Sequence, residues 1–131
     1  MEGEVRKISK SFASQNEYDL VVCSNLLEHV PYPQSVLAEI KFVMSRNSVL
    51  YIEVPLEKIV EENNLNQELL SKKRHWHEHI NFFSQRSLEE LIANVGMHIL
   101  SFRIEKIWLE KNYHSQFLVA CGLSRSINDN N

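Results

Sequence analysis

The hydrophobic pattern divides the first half of the chain into two apolar runs with an amphipathic segment between them. Tyr18 to Ser24 is a mainly apolar run rich in β-branched residues, and residues 48–54 repeat the pattern before Pro55. Such runs are typical of strands buried on both faces of a parallel sheet. The segment between them begins at Pro33, and proline suits the first turn of a helix. Strand, helix and strand in this order predict a crossover unit with two parallel strands.

The ends of these elements carry signals of their own. Asn47 follows the apolar stripe of the helix, and because asparagine accepts the left-handed conformation we expect it to end the helix. Pro55 has no N–H to give to a sheet ladder, so it is expected to end the second strand. The residues of the helical stripe are Val36, Leu37, Ile40, Val43 and Met44.

The second half of the chain predicts a further helix. Residues 57–74 are polar and mostly helical in composition, and we expect them to lie as an insertion over one end of the sheet. Ser84 or Ser87 is expected to cap the next helix, and Ser87 with Glu90 has the capping-box spacing. Gly96 supplies the left-handed residue that ends it. The core-facing residues of this helix are Leu88, Leu91, Ile92 and Val95.

A pair of strands completes the pattern. Residues 97–109 and 116–123 are predicted strands, and the short polar link at residues 110–115 predicts an antiparallel hairpin. We expect a single α/β domain over residues 1–131, with a disordered tail at 124–131.

Composition and net charge argue against some classes of function. The net charge is −3 and the longest basic cluster is Lys72 to Arg74, so we expect neither a nucleic-acid nor a membrane partner. No apolar run is long enough to span a bilayer, and the first residues lack an apolar signal core. Cys23 and Cys121 both lie in strand-like runs, which fits two reduced thiols in the cytoplasm.

Two segments of the chain resemble class I S-adenosylmethionine-dependent methyltransferases. The string YDLVVCSNLLEHV at residues 18–30, with the Pro33 helix and residues 50–55, resembles the fourth strand, following helix and fifth strand of that family. The string HEHINFFS at residues 77–84 resembles a later stretch of bacterial methyltransferases, often ones that act on sugars or cell-surface polymers. The resemblance spans roughly residues 18–100. It implies S-adenosylmethionine-dependent methyl transfer to a sugar or small metabolite.

The resemblance implies a partial Rossmann-like methyltransferase sheet. The family's strand order is 3-2-1-4-5-7-6, and this chain is expected to supply the 4-5-7-6 half with a C-terminal antiparallel hairpin. The glycines Gly3, Gly96 and Gly122 form no G-x-G pair, so the donor-binding glycine turn has no counterpart. We therefore expect no detectable binding of S-adenosylmethionine by this chain alone. We also expect a homo-oligomer through the exposed edge strand 18–24.

The donor site implied by the resemblance lies after the first predicted strand. Ser24, Asn25 and Leu26 are expected to line the methionine half of the donor, at the carboxyl end of the strand where ligands bind in open α/β sheets. His29 follows a few residues later and is a further candidate for this site.

The catalytic residues implied by the resemblance lie in the second segment. Trp76 to His79 resembles the Y-H-E-H motif of nucleotide-sugar C-methyltransferases, which makes His79 the expected general base and Glu78 its helper. Trp76 stands where that motif has tyrosine, so one hydroxyl group of the motif is missing. No metal is expected among these residues.

The same residues also have plainer interpretations. Asn25 would cap the turn after its strand, and Glu28 would hold the loop through backbone hydrogen bonds. His79 would pack under the neighbouring aromatic pair. The aromatic residues would then belong to the core rather than to a stacking surface for bases; they are Trp76, Phe82, Phe83, Trp108 and Tyr113.

Two further functions stay open at this point. A catalytically inactive methyltransferase-like remnant would act by association, or would need a partner that carries the missing half. Alternatively, His75, His77 and His79 alternate along the chain, so on a strand they would share one face and form a zinc-binding module.

Overall fold

The structure is a computed structural model that describes residues 17–57 and 79–124. Its sheet has four strands in the order β1-β2-β4-β3. The pair β1–β2 is parallel, and β2–β4 and β3–β4 are antiparallel. This confirms the predicted α/β class and the 4-5-7-6 arrangement with its C-terminal hairpin. The strands are β1 (Tyr18–Ser24), β2 (Met44–Leu56), β3 (Met97–Leu109) and β4 (Asn112–Leu123).

Two α-helices in the described part of the chain pack on one face of this sheet. They are α1 (Pro33–Ile40) and α2 (Gln85–Asn94), and short 3-10 helices span Leu27–His29 and Lys41–Val43. Leu37 and Ile40 of α1 are buried, as are Leu88 and Ile92 of α2, so both predicted stripes do face the core. The sheet contributes further buried residues to the same cluster: Cys23, Leu50, Ile52, Val54, Met97, Phe117, Val119 and Cys121.

The predicted helix end at Asn47 is wrong. The α-helix stops at Ile40, β2 already begins at Met44, and Asn47 lies inside that strand without a positive φ. Hydrogen bonds of Ser48 replace the expected cap. Its hydroxyl accepts from the Ser45 N–H at 2.8 Å and donates to the Tyr18 carbonyl, where the β1–β2 register is irregular. The chain thus enters the sheet through a bulge rather than through a helix cap.

The predicted strand end at Pro55 is also wrong, because β2 continues to Leu56 and Pro55 pairs with Gln116. The pairing with β1 stops at Glu53. Beyond that point, among the described residues, β2 pairs with β4 alone. Proline is tolerated on such an edge because its missing N–H costs no ladder bond there.

The hydrogen bonds at the start of α2 show whether Ser84 or Ser87 caps the helix. The Ser84 hydroxyl accepts from the Ser87 N–H at 3.1 Å, and the Ser87 hydroxyl accepts from the Ser84 N–H at 2.9 Å. Ser84 is therefore the cap, and the pairing of Ser87 with Glu90 is wrong. Gly96 has φ +80°, which confirms the predicted left-handed residue after the helix.

The hairpin is tighter than predicted. β4 begins at Asn112, so only Glu110 and Lys111 join it to β3, and both have positive φ, 50° and 67°. Two such residues in succession make the primed turn that matches the twist of a two-residue hairpin. The predicted six-residue link was too long because four of its residues pair in the ladder.

β1 is an edge strand as expected, but it is not buried on both faces. Cys23 faces the core, whereas Leu20 and Val22 are each 59% exposed. The two described helices pack on the face that carries Cys23, so the side chains that alternate with it stay outside.

The expected core positions of Trp108 and Tyr113 are wrong as well. Both are exposed, and their rings pack edge to face across the hairpin with centroids 4.7 Å apart. Phe83 is buried as expected. Cys23 and Cys121 are free and buried, and burial raises the pKa of the two thiols to about 11 and about 12.

Some predictions fall outside the described ranges. Apart from Glu57, the predicted insertion at 57–74 lies outside the residues the structure describes, and so does the predicted tail after Ser124. Within the described ranges, no helix is long and apolar enough to cross a membrane.

Candidate functional site

The candidate site begins where β1 and β2 end together. Because the two strands are parallel, with Ser24 beside Glu53, their carboxyl ends meet at one edge of the sheet. Asn25 then takes a left-handed conformation with φ 50°, and its N–H donates to the Glu53 carbonyl at 2.8 Å. Asparagine tolerates this conformation better than most residues. The backbone of Asn25 therefore turns the chain out of the sheet, as its plainer interpretation predicts.

Polar side chains at this edge are accessible. The Ser24 hydroxyl donates to the Glu53 carboxylate at 3.2 Å, and the Asn25 amide group donates to the Ser24 hydroxyl at 3.4 Å. Ser24 and Asn25 are exposed, and Leu26 is 42% exposed. A hydroxyl, an amide, a carboxylate and an apolar side chain therefore face outward from neighbouring strands.

The second sequence segment is tied directly onto the 3-10 helix that follows. The backbone carbonyl of Glu28 accepts from the N–H groups of Ile80 and Asn81, at 2.7 and 3.0 Å. The Asn81 side chain donates to the carbonyls of Leu27 and Val30. The two segments that carry the family resemblance, far apart in sequence, thus form one structure at the end of the sheet.

His79 lies in this structure next to a carboxylate and a second imidazole. Its Nδ1 is hydrogen-bonded to Oε1 of Glu57, the residue directly after β2. Its ring packs edge to face with that of His29, with centroids 4.8 Å apart. A carboxylate at Nδ1 holds the proton on that nitrogen and leaves Nε2 with a free lone pair. The side chain of His79 is 30% exposed, so a ligand has access to it.

Glu28 lies behind the two histidines and is buried, with 1% of its surface exposed. Neither carboxylate oxygen has a hydrogen-bond partner, and Oε1 is 3.5 Å from Nε2 of His29. Burial raises the pKa of this carboxyl, and the nearby His29 and His79 oppose the shift. Glu28 holds the loop through backbone hydrogen bonds, as its plainer interpretation predicts, and its carboxyl takes no part in them.

The structure brings together most of the predicted site residues. Ser24 is the last residue of β1, Asn25 and Leu26 follow it, and the rings of His29 and His79 contact each other. Glu78 lies outside the described residues, as do Trp76 and the two further histidines of the zinc alternative, His75 and His77. The described ranges contain no group of three His, Cys, Asp or Glu residues that could hold a metal ion.

Sequence reasoning missed Glu57 and Asn81. Glu57 was assigned to a polar insertion, although a carboxylate directly after a parallel strand is a signal for the carboxyl edge of the sheet. Asn81 is the asparagine of the HEHINFFS string, so the resemblance contained it without giving it a role.

Comparison with known protein families identifies a methyltransferase domain in this chain. The sequence model of a family described as "Methyltransferase domain" matches residues 4–101. No curated protein matches the chain in sequence.

Several solved structures share the fold at low sequence identity. A S-adenosylmethionine-dependent methyltransferase from Methanosarcina mazei is 16% identical, with a TM-score of 0.58 over 85% of this chain and 61% of that one. The 1,6-didemethyltoxoflavin-N1-methyltransferase of Burkholderia thailandensis, solved with bound 1,6-didemethyltoxoflavin and S-adenosylhomocysteine, is 13% identical, with a TM-score of 0.58 over 82% of this chain and 44% of that one. The magnesium protoporphyrin IX methyltransferase of Synechocystis, with bound S-adenosylhomocysteine, is 12% identical, with a TM-score of 0.55 over 83% and 46%. The chain thus spans less than two thirds of the length of each of these structures.

Proposed function

Because this chain belongs to the methyltransferase domain family, we propose that the protein transfers a methyl group from S-adenosylmethionine to a sugar or small metabolite. The observation that carries the proposal is the position of His79. Its imidazole is fixed by Glu57 at the carboxyl edge of the parallel pair, beside the Asn25 turn. In open α/β sheets this is the edge where ligands bind.

The residues at the Asn25 turn fit the methionine half of the donor. Glu53 offers a carboxylate to an ammonium group, Ser24 and Asn25 offer polar groups, and Leu26 offers an apolar surface. When bound, the donor supplies an activated methyl group on a sulfonium, which is already a good leaving group. The protein's task is then to hold the acceptor in line with that methyl group.

His79 gives the site a base for the acceptor's proton. Glu57 accepts the hydrogen bond from Nδ1 and stabilises the imidazolium that forms when Nε2 takes up a proton. A sugar or metabolite hydroxyl is an acceptor that needs this help. The free thiols of Cys23 and Cys121 support a reducing compartment such as the cytoplasm for the reaction.

A methyl-transfer assay with a matched pair of histidine variants tests the proposal. The protein is incubated with ¹³C-methyl S-adenosylmethionine and a panel of nucleotide sugars, free sugars and small hydroxylated metabolites, and products are detected by mass spectrometry. We expect at least one labelled acceptor when a partner supplies the donor-binding half, and none from this chain alone, for which no detectable donor binding is expected. His79→Ala should lower turnover by about 100-fold because the base is lost, whereas donor affinity, measured by calorimetry, should change little.

His98→Ala is the control. His98 is exposed and pairs with Gly122 at the opposite end of the sheet, so this variant should keep full turnover. Unchanged turnover in His79→Ala would exclude His79 as the base. Donor binding without any labelled acceptor would favour the inactive remnant instead.

A further inference from the structure

The buried carboxyl of Glu28 has no role in the mechanism above, although it is the most costly group at the site. Both its oxygens are buried without a hydrogen-bond partner. A buried polar group without a partner destabilises a fold, whereas an apolar side chain of similar size would fill the same volume without that cost. Packing alone therefore does not account for a glutamate here.

The groups around Glu28 are those of the proposed catalytic site. Nε2 of His29 is 3.5 Å from Oε1 of Glu28, and His29 in turn contacts the ring of His79. Glu57 binds the far side of His79. Among the residues that the structure describes, the other titratable group that interacts with Glu28 is the Cys23 thiol, whose raised pKa keeps it neutral. Two carboxyls and two imidazoles thus form a row of neighbouring side chains, which runs from the core to the surface in the order Glu28, His29, His79 and Glu57.

The distance between Glu28 and His29 suits the movement of a proton between their side chains. A small rotation of either side chain shortens 3.5 Å to a hydrogen bond. The His29 side chain is 42% exposed, so it extends from the buried carboxyl to the surface. Burial of the Glu28 carboxyl favours its neutral acid form over the carboxylate.

We propose that Glu28 is a positioning residue for His79, and that its carboxyl exchanges one proton with the His29 imidazole as the charge on His79 changes. The inference rests on the proposed methyl transfer for its purpose. When His79 Nε2 takes the proton of the acceptor, the Glu28 O–H bond breaks and its proton passes to His29 Nε2. His29 then releases the proton on its other nitrogen to solvent. One proton leaves per methyl transferred, and the new imidazolium at His79 faces a new carboxylate at Glu28.

Nuclear magnetic resonance of the ligand-free protein tests the coupling. The Cε1–H signals of His29 and His79 are followed against pH in the wild type, in Glu28→Gln and in the control Glu105→Gln, whose carboxylate lies on β3 beside Arg103. In the wild type, both histidines should show the same two inflections, as interacting sites do. Glu28→Gln should change both curves, because the carboxyl that exchanges a proton with His29 is removed. The control should leave both curves unchanged.

Infrared spectroscopy keeps the proposal testable if Glu28→Gln does not fold. The wild type should show the carbonyl band of a buried protonated carboxylic acid that disappears as the pH rises. In His29→Asn, a change at a half-exposed side chain, this band should persist to higher pH because the imidazole that favours the Glu28 carboxylate is gone. Independent single-site histidine curves, or an acid band that His29→Asn does not move, would overturn the proposal. These measurements need neither donor nor acceptor, so they fail or succeed independently of the methyl-transfer assay.

Discussion

At the residue scale, single polar groups decide the shape of the site. The Asn81 side chain donates to the carbonyls of Leu27, the first residue of the 3-10 helix, and Val30, the residue directly after it. One amide group therefore joins two parts of the chain that are distant in sequence. Its removal would leave both carbonyls without their donor and would loosen the contact between His29 and His79.

The buried carboxyl of Glu28 predicts an unusual dependence of stability on pH. Its pKa is raised in the folded protein above the ordinary value of 4.5, so the folded state holds a proton that the unfolded state has lost. The contribution of Glu28 to the free energy of unfolding is fully present below pH 4.5. It falls as the pH rises through the pKa of Glu28 in the folded protein. Glu28→Gln removes the titration. Urea unfolding over a pH series should show that the free energy of unfolding of the wild type, minus that of the variant, declines as the pH rises.

An exposed glutamate provides the control for that series. Glu90 pairs with Arg86 on the surface of α2, and the difference between wild type and Glu90→Gln should vary little over the same pH range. A difference for Glu28→Gln that rises with pH would contradict a raised pKa.

The sequence predicts site residues better than it predicts their partners. His79, His29 and Asn25 were found because they lie in strings with a recognisable pattern. Glu57 was missed because its role depends on the end of β2, which the pattern placed two residues too early, at Val54. The state of the Glu28 carboxyl depends on what surrounds it in space, and no local pattern contains that information.

At the scale of elements, the residue types in the hairpin turn do not favour the backbone conformation that the turn requires. Glu110 and Lys111 both have positive φ, a conformation in which side chains other than those of glycine, asparagine and aspartate are unfavourable. The turn is kept because the flanking strands pair along their whole length and the rings of Trp108 and Tyr113 pack across it.

Replacing the turn by the preferred residues should stabilise the protein. The double change Glu110→Asn and Lys111→Gly should raise the free energy of unfolding by about 1–2 kcal/mol, because both residues then accept positive φ at little cost. Urea denaturation measures the change. Asn112→Gly, one position along, is the matched control: it places glycine in β4 and should lower stability. A loss of stability in the double variant would contradict the assigned turn.

The same turn shows why the elements were predicted more accurately than their ends. The bounds of β1 and β3 agree with the apolar pattern, since strand periodicity spans many residues. The turn lacks the glycine or asparagine that marks a two-residue hairpin, so the pattern predicted a longer link. Met44 was counted as helical because a buried side chain fits either element.

At the scale of the whole molecule, the two edges of the sheet differ in their protection. β3 carries Arg103, Glu105 and Lys106, and charged side chains discourage edge pairing. β1 is short, and Leu20 and Val22 are exposed on its outer face. The less protected edge is therefore the one that leads directly into the candidate site.

This difference predicts self-association through β1, as a dimer or a domain-swapped oligomer. Sedimentation velocity should show association that increases with protein concentration. Val22→Lys should shift the protein to the monomer, because a charged side chain on the edge opposes pairing. Leu100→Lys, an equally drastic change at an exposed position on β3, should leave the association unchanged. A wild type that stays monomeric at all concentrations would exclude the oligomer.

The connectivity of the sheet also predicts the order in which its strands pair during folding. Two residues join β3 to β4, whereas β1 reaches its partner β2 only across a helical crossover. Hairpins close within ~1–10 μs, and pairs that are distant in sequence form later because closing a longer loop costs more entropy. We therefore expect β1 to join last. Assembly of the site is then the final step of folding, and slowing the addition of β1 would delay activity while leaving a largely formed sheet.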